Sequence, residues 1–409
     1  MTKFAKVLAA GAAAAMLLGA GACGASNSGS GSNAKTATLT VWSAAEDQAK
    51  SDSWLQTMEK EFEKAHPDYK ITWKNTVVTS ADAATTVKQD PAAAADVYQF
   101  ASDQLGALVD AQAIGELSDD GVKQVKKQND QTLVDSITGA DGKMYGVPLS
   151  GNTWFMYYNK SKFSAEDIKS FNAMLEKGKV SFNVANSWYL PAFYVGDGMT
   201  IFGEKGVDAK AGIKPGPHAG EITKFLVDLV KNPNFVLDNN ADNAGLAALK
   251  NGTTDVYFSG TWSAKDAKEA LGDNYAAAQL PSFTVPSGTY QMKSFAGSTS
   301  VAYNPNSKSP KIAAQFAAFL GSTQAQKKHY EMRQIIPADK SLASLVESDP
   351  AAKAQIDTLA NTSIIQPTLN EMSNFWDPCE NFGTAIVTGD VNANNAAEKT
   401  QAWFDAYKK

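Results

Sequence analysis

Strand and helix patterns alternate in the stretches LTVW (residues 39–42), WLQTMEKEF (54–62), ITW (71–73) and DVYQF (96–100). The second stretch repeats apolar residues at helical spacing. The other three are short runs rich in β-branched and aromatic residues, which is typical of strands. Because strands and helices alternate, this part of the chain predicts an α/β fold with a mostly parallel sheet.

A second block of strand and helix patterns follows without a Ser/Gly-rich linker between the two blocks. Strands are predicted at 154–158, 180–184 and 255–258, and a helix is predicted at 222–229. Alternation resumes from residue 295, and the tail of the chain reads as mainly helical. Two α/β blocks of this kind indicate two lobes rather than one extended sheet.

We expect the chain to cross several times between these lobes. The predicted N-terminal lobe comprises residues 36–150 plus 296–337, and the predicted C-terminal lobe comprises 151–295 plus 338–409. Ligands of open α/β sheets bind in a crevice at the carboxyl ends of the strands. Two facing lobes therefore predict a cleft that closes by hinge motion.

The first residues of the chain have the pattern of a secretory signal. Lys3 and Lys6 precede an apolar run over 7–18, and small residues lead to Cys23. We predict a lipoprotein signal peptide over 1–22, because the apolar run is shorter than the ~20 residues that span a bilayer. A buried N-terminal helix is the alternative, and nearby glycines disfavour it.

Cys23 follows small residues as in a bacterial lipobox, although Ala20 stands where such motifs usually have Leu. We expect Cys23 to be lipidated, with cleavage without a lipid as the alternative. Residues 23–35 form a Gly/Ser-rich tether. The sequence thus predicts a globular protein anchored by lipid at the extracellular face of the cell membrane.

The composition narrows the functional class. Hydrophobic residues make up 44% and charged residues 20%, as in soluble globular proteins. A net charge of −6 argues against a nucleic-acid partner, which would require a basic patch. After Cys23, only Cys379 remains, which excludes an internal disulfide. As a catalytic nucleophile Cys379 would need a nearby His base, and a spatial pairing with one of the three His stays open.

Common catalytic and metal motifs are absent from the sequence. There is no G-x-S-x-G elbow, no phosphate-binding G-x-x-x-x-G-K-[ST] loop and no H-E-x-x-H zinc motif. We therefore expect no metal, no cofactor and no catalysis. A glycosidase needs only two carboxylates across a cleft, so a tethered glycosidase remains an alternative.

The strongest positive signal is aromatic. Of the eight Trp residues, Trp54, Trp73 and Trp403 fall inside predicted helices or strands and are expected to be structural. The other five lie at strand ends or in polar loops: Trp42, Trp154, Trp188, Trp262 and Trp376. Trp stacks on the apolar faces of sugar rings, and neighbouring amides and carboxylates satisfy sugar hydroxyls. These tryptophans therefore predict an oligosaccharide cleft, with core packing as the alternative for each one.

Several motifs carry a family resemblance over nearly the whole chain. They are GKMYGVP (142–148), YYNK (157–160), FLVDLVKN (225–232), SGTW (259–262) and MSNFW (372–376). In this order they resemble the extracellular solute-binding proteins of carbohydrate ABC importers, specifically the maltose/maltodextrin-binding branch. That resemblance implies an α/β, two-lobe periplasmic-binding-protein-like fold with a hinged interlobe cleft. It also implies a monomer that delivers sugar to ABC transporter permease subunits.

The resemblance implies maltose or maltooligosaccharides as ligand, with another oligosaccharide as the alternative. A peptide ligand is disfavoured because Arg333 is the single Arg of the chain. Trp188, Trp262 and Trp376 would anchor the sugar by stacking. The full set of implied contacts is Trp42, Glu46, Asp47, Asp103, Gln104, Asn152, Trp154, Asn186, Trp188, Trp262, Trp376 and Glu380. Gln104, Asn152, Asn186 and Glu380 depart from the residues that the family usually has.

Overall fold

A computed structural model describes residues 35–90, 94–239 and 244–408. The predicted signal peptide, Cys23 and all of the tether except its last residue lie outside this part of the chain. Within the described part, no helix combines the length and apolar character needed to span a bilayer.

The strands are β1 (Lys35–Ser43), β2 (Tyr69–Val77), β3 (Val97–Ala101), β4 (Val147–Asn152), β5 (Phe155–Asn159), β6 (Val180–Phe182), β7 (Thr200–Ile201), β8 (Ile213–Lys214), β9 (Phe235–Leu237), β10 (Val256–Ser259), β11 (Tyr275–Ala278), β12 (Ser282–Val285), β13 (Gly288–Gln291), β14 (Ser294–Tyr303) and β15 (Ser363–Ile365).

The helices are α1 (Trp54–Ala65), α2 (Ala83–Gln89), α3 (Leu105–Asp110), α4 (Asp119–Gln128), α5 (Gln131–Asp135), α6 (Phe171–Lys177), α7 (Pro191–Gly196), α8 (Ala219–Leu229), α9 (Ala244–Lys250), α10 (Ala264–Leu271), α11 (Pro310–Leu320), α12 (Thr323–Arg333), α13 (Ala343–Val346), α14 (Pro350–Asn361), α15 (Trp376–Thr388) and α16 (Ala396–Ala406).

A six-stranded sheet organises the first lobe, in the order β15-β14-β3-β1-β2 with β4 paired to β14. β1 runs parallel to β2 and β3, as the alternating pattern predicted. β14 runs antiparallel to β3 and β4, so the sheet is more mixed than predicted. The chain enters β14 directly from the other lobe and does not make the crossover connection that a parallel neighbour requires.

A five-stranded sheet organises the second lobe, in the order β11-β5-β10-β6-β9. β6 is parallel to β9 and β10, whereas β5 is antiparallel to β10 and β11. The carboxyl ends of β6, β9 and β10 therefore meet at one edge. The loops that follow these strands carry Trp188 and Trp262, so the fold brings both residues to that edge.

Each sheet is covered by helices around its own hydrophobic core. The first core contains Leu39, Trp54 and Phe316, and the second contains Phe182, Phe258 and Trp403. Full burial of an aromatic or large aliphatic side chain contributes roughly 1.5–3 kcal/mol. Trp54 and Trp403 are buried, as predicted. The fold is thus the predicted α/β arrangement of two lobes.

Three chain segments connect the two cores. The chain passes from β4 to β5, along β14, and again near β15, which pairs with the start of β14. Thr153 Oγ1 lies 2.8 Å from Ser294 Oγ, which ties the first crossing to the second. At the third crossing, Gly106 N donates to Thr368 O at 3.0 Å. A β-carbon at Gly106 would lie 2.3 Å from that oxygen, so only glycine permits this approach.

Candidate functional site

The candidate site is a cleft between the two lobes. A cavity in this cleft has a volume of about 620 Å³, within the usual range of ligand pockets. One wall comes from α2, α3 and the turn before α3, and the other comes from the segment leading into α15. The residues that line it are Ala84, Thr85, Lys88, Asp103, Gln104, Ala107, Asp110, Ala111, Leu369, Asn370, Met372, Ser373 and Trp376. Three predicted contacts, Asp103, Gln104 and Trp376, lie here.

Asp103 supplies a carboxylate from the first lobe. It lies in the short 3-10 turn Ser102–Gln104 at the carboxyl end of β3. The residue is exposed at the cavity surface, while neighbouring protein atoms displace much of the water around its carboxyl group. Desolvation therefore raises its pKa, although hydrogen bonds from its own backbone and from the Gln366 side chain oppose that rise. Asp103 is placed to accept hydrogen bonds from ligand hydroxyls.

Gln104, next to Asp103, uses its amide group within the protein. Its Oε1 accepts from the backbone N–H of Ala84 at 2.7 Å, and its Nε2 donates to the carbonyl of Ala81. These bonds hold the start of α2 against the turn that carries Asp103. The structure thus gives Gln104 a positioning role on the cavity wall.

Trp188 supplies an aromatic face from the second lobe. Asn186 Oδ1 accepts from Trp188 N at 2.8 Å, which is the turn geometry that Asn favours. The indole Nε1 donates to Gln366 Oε1 at 2.9 Å. Asn186 therefore shapes the backbone beneath Trp188, and Gln366 orients its ring. The ring remains half-buried.

Trp262 extends the aromatic surface. Its ring centroid lies 5.8 Å from that of Trp188, with 32° between the planes, and 54% of its surface is exposed. It follows β10 in the turn Thr261–Ser263. A β-carbon at Gly260 would fall 1.9 to 2.5 Å from carbons of the Trp262 ring, so a side chain there would displace the ring from its present position. A large exposed indole beside a second one is a stacking surface for a ligand.

Trp376 begins α15 and lines the cavity. Its ring packs edge-on against Phe295 at 5.9 Å and against Phe375 at 5.3 Å. These contacts leave it half-buried. Glu380 lies one turn later on the same helix and is exposed, and it is not among the cavity-lining residues.

Two of the five loop tryptophans lie in the cores rather than in the cleft. Trp154 has no exposed surface, and its Nε1 donates to the carbonyl of Trp188 at 3.3 Å. Trp42 is 6% exposed, and its ring packs against Tyr98 at 5.4 Å. Both tryptophans lie at strand ends, but the rings turn inward, where apolar burial is favourable. For these two residues the structure matches the core-packing alternative.

Asp47 is engaged inside the first lobe. It is 3% exposed, and its Oδ1 lies 3.0 Å from His329 Nε2 and 3.2 Å from Arg333 Nε. Gln99 Nε2 donates to its other oxygen at 3.2 Å. Burial alone would raise the pKa of Asp47, but the hydrogen bond and charge of His329, together with hydrogen bonds from Gln99 and Arg333, hold it below its usual value. Its carboxylate is thus satisfied by protein partners.

Two further predicted contacts are not among the residues that line this cavity. Glu46 is exposed beside Asp47, and Asn152 is half-buried at the end of β4, opposite Gly297 of β14. The structure therefore gathers Asp103, Gln104 and Trp376 around the cavity, and places Trp188 and Trp262 together on the second lobe. Gln366 links these two groups.

Gln366 is absent from the sequence-based prediction. It lies just beyond β15 and is 8% exposed. No motif or periodicity singles out an amide in this loop. Its position between an indole and a carboxylate becomes visible only when the third crossing is placed against both lobes.

Side chains of metal-ligating types and the free thiol of Cys379 also occur among the described residues. No group of three or more His, Cys, Asp or Glu side chains within them is arranged to hold a metal ion. Cys379 is completely buried, its Sγ faces the carbonyl of Ser187 at 3.9 Å, and burial raises the pKa of its thiol. A buried thiol with a raised pKa is a poor nucleophile.

Several known proteins are similar to this chain in sequence and fold. A maltooligosaccharide ABC transporter solute-binding lipoprotein of Streptococcus pneumoniae is 28% identical over 321 residues, which is 74% of each chain. A solved structure of a protein with acarbose is 42% identical, has a TM-score of 0.84 and matches 90% of this chain and 98% of that chain. The ligand-free maltodextrin-binding protein MalE1 of L. casei is 27% identical, has a TM-score of 0.82 and matches 91% and 99% of the two chains. The family model of the bacterial extracellular solute-binding proteins matches residues 57–355, so the chain belongs to that family.

Proposed function

We propose that this protein captures maltooligosaccharides and delivers them to an ABC importer. One observation carries this proposal: the paired indoles of Trp188 and Trp262 lie on one lobe, and Gln366, which accepts from Trp188, lies beside the Asp103 carboxylate of the opposite lobe. Sugar rings offer apolar faces to indoles and hydroxyl donors to carboxylates. Relatives that bind maltooligosaccharides, maltodextrin or acarbose support the same ligand class.

Binding proceeds without chemistry in this proposal. The sugar stacks first on the exposed ring of Trp262 and on Trp188, and Asp103 then accepts hydroxyl hydrogen bonds across the cleft. A closed arrangement that makes both sets of contacts binds sugar better than an open one. The ligand therefore shifts the population toward closure in proportion to that difference in affinity.

The cellular context is part of the proposal. We propose that Cys23 carries a lipid, that residues 23–35 tether a monomer outside the membrane, and that permease subunits recognise its closed form. We further propose lobes of 36–150 plus 296–337 and of 151–295 plus 338–409. Phe295 and Val301, which lie in β14 but belong to different cores, support a boundary within that strand.

Isothermal titration of the protein with maltose, maltotriose, maltotetraose and acarbose tests the ligand. Cellotetraose and a galactooligosaccharide serve as controls for linkage and sugar type. We expect heat and a change in Trp fluorescence with the α-1,4-linked glucosides. No response to any α-glucan would overturn the proposed ligand class.

Two further measurements address the alternatives. Incubation with maltotetraose should leave it intact, and shorter sugars that appear in proportion to protein would indicate a glycosidase. Cys23→Ala should release the protein from the membrane fraction into the medium. Retention of this variant at the membrane would contradict the lipid anchor.

A further inference from the structure

Gln366 occupies a position that joins the two halves of the candidate site. Its backbone N–H donates to Ala296 O of β14 at 2.9 Å, which fixes the residue at the third crossing. Its Oε1 accepts from Trp188 Nε1 of the second lobe at 2.9 Å, and its side chain is near enough to Asp103 of the first lobe to oppose the rise in the pKa of that carboxyl. With 8% of its surface exposed, it lies beneath the ligand surface rather than on it.

The chemistry of the two neighbours requires an amide between them. The indole Nε1 can only donate a hydrogen bond, and an ionised carboxylate can only accept one. The 2.9 Å bond from Trp188 assigns Oε1 of Gln366 to the indole. The amide Nε2 is therefore the group left to donate toward the Asp103 carboxyl, whose pKa the Gln366 side chain lowers. A carboxylate at position 366 could accept from the indole but could not donate to Asp103, and an aliphatic side chain could do neither.

Trp188 depends on this bond for its orientation. Its backbone is held by Asn186 and by the indole of Trp154, but Gln366 is the polar partner that its ring is shown to have. Its neighbour Trp262 is mostly exposed, so Trp188 is the ring of this pair that the protein holds in place.

We infer that Gln366 is a positioning residue that aligns the stacking face of Trp188 with the hydroxyl-accepting carboxylate of Asp103 across the cleft. This inference rests on the proposed oligosaccharide site, because it assigns the two aligned groups to one ligand. Gln366 itself need not touch the sugar.

Two substitutions separate the two bonds. Gln366→Leu removes both of them. Gln366→Glu keeps an oxygen for Trp188 but removes the donor to Asp103 and adds a like charge beside it. Gln315→Leu is the matched control, because Gln315 Oε1 also accepts from an aromatic side chain, Tyr69 OH at 2.7 Å, outside the cleft.

Ligand-free NMR gives the first readout. We expect the indole N–H resonance of Trp188, assigned with Trp188→Phe, to move in Gln366→Leu and to remain close to its wild-type position in Gln366→Glu. The carboxyl carbon of Asp103 should titrate at higher pH in Gln366→Glu, since a nearby like charge disfavours its ionised form. Gln315→Leu should change neither signal. An unchanged indole resonance in Gln366→Leu, or an unchanged Asp103 titration in Gln366→Glu, would overturn the inference.

Sugar affinity gives the second readout. Loss of hydrogen bonds that include one to a charged group should weaken maltotriose binding about tenfold in Gln366→Leu. The same substitution in a Trp188→Phe background should cost less, because one of its two bonds is already missing. An equal loss of affinity in the wild-type and Trp188→Phe backgrounds would contradict a coupling between Gln366 and Trp188. If the wild type binds no sugar, the proposed function fails, while the NMR measurements still decide the role of Gln366. If Gln366→Leu does not fold, the same measurements on Gln366→Glu and Trp188→Phe test the inference.

Discussion

The indole rings of Trp188 and Trp262 lie 5.8 Å apart with 32° between their planes, on loops that follow different strands of the same sheet. Trp188 donates hydrogen bonds to Asn186 and Gln366, whereas Trp262 exposes 54% of its surface. One ring is therefore fixed and the other is free to meet a ligand. We therefore expect the tryptophans to differ in what they contribute to ligand binding and to the stability of the fold.

Trp262→Ala should weaken maltooligosaccharide binding with little effect on folding. An exposed ring contributes little to the core, but its stacking on a sugar is worth about 0.5–1.5 kcal/mol beyond the area it covers. Calorimetric titration and chemical denaturation measure the two effects. A large loss of stability with unchanged affinity would contradict the assignment of Trp262 to the ligand surface.

Trp154→Ala should have the opposite profile. The ring is completely buried and packs near Phe182, Tyr189 and Phe258, so its loss leaves a cavity. Truncation of a core Trp typically costs about 3–5 kcal/mol in the free energy of unfolding. Urea denaturation checks this value, and a variant of wild-type stability would show that Trp154 is not a core residue.

Asp47→Asn should destabilise the first lobe by about 3–5 kcal/mol, because it breaks a buried ion pair and leaves His329 and Arg333 without their carboxylate. The pKa of Asp47 is lower in the folded state than its usual 3.8. Its contribution is therefore fully present above pH 3.8 and is lost as pH falls through the folded-state pKa.

Denaturation curves at neutral and acidic pH test this prediction. The wild type should lose more stability on acidification than Asp47→Asn does. Sugar titration of Asp47→Asn tests the predicted sugar contact at this residue. Because the carboxylate points into the lobe, we expect the variant to bind sugar. A variant of normal stability that fails to bind sugar would instead place Asp47 on the ligand.

Sugar affinity should depend on the ionisation of Asp103. Its pKa is raised by desolvation, and a carboxylate that accepts from hydroxyls must be ionised to accept fully. Affinity should therefore fall as pH decreases through a value above the usual 3.8. Asp103→Asn should bind roughly 10- to 100-fold more weakly at pH 7 and lose this pH dependence. A pH profile that persists in Asp103→Asn would assign the titration to another group.

Glu59→Gln should stabilise the protein at neutral pH. Glu59 is 5% exposed, and burial raises its pKa to about 7, against the hydrogen bond that Asn75 donates at 2.8 Å. The folded state therefore holds a proton that the unfolded state releases above pH 4.5, so stability falls as pH rises from there to about 7. Glutamine keeps the bond from Asn75 without the charge.

We expect a gain of about 1–3 kcal/mol at pH 8 and little change at pH 4, measured by urea denaturation. Glu269→Gln, at an exposed ion pair, is the control and should have a small effect at both pH values. Equal stability of Glu59→Gln and wild type at pH 8 would contradict the raised pKa.

The sequence by itself determined the alternation of elements and therefore the fold class. Apolar period two at 39–42 and period 3.6 at 54–62 reappear as β1 and α1, because burial of one face dictates local structure. The loops that carry Trp188 and Trp262 could also be read from sequence, since turn chemistry such as that of Asn186 is local.

Only the tertiary structure decided which way each side chain points and which residues meet. Trp42 near the end of β1 and Trp154 between β4 and β5 have polar neighbours like the other loop tryptophans, but their rings turn into the cores. Asp47 and Arg333 are 286 positions apart and pair inside one lobe. Gln366 accepts from the indole of Trp188, 178 positions earlier, because the third crossing lies against the second lobe. Such contacts depend on packing between elements, which no local pattern of residues encodes.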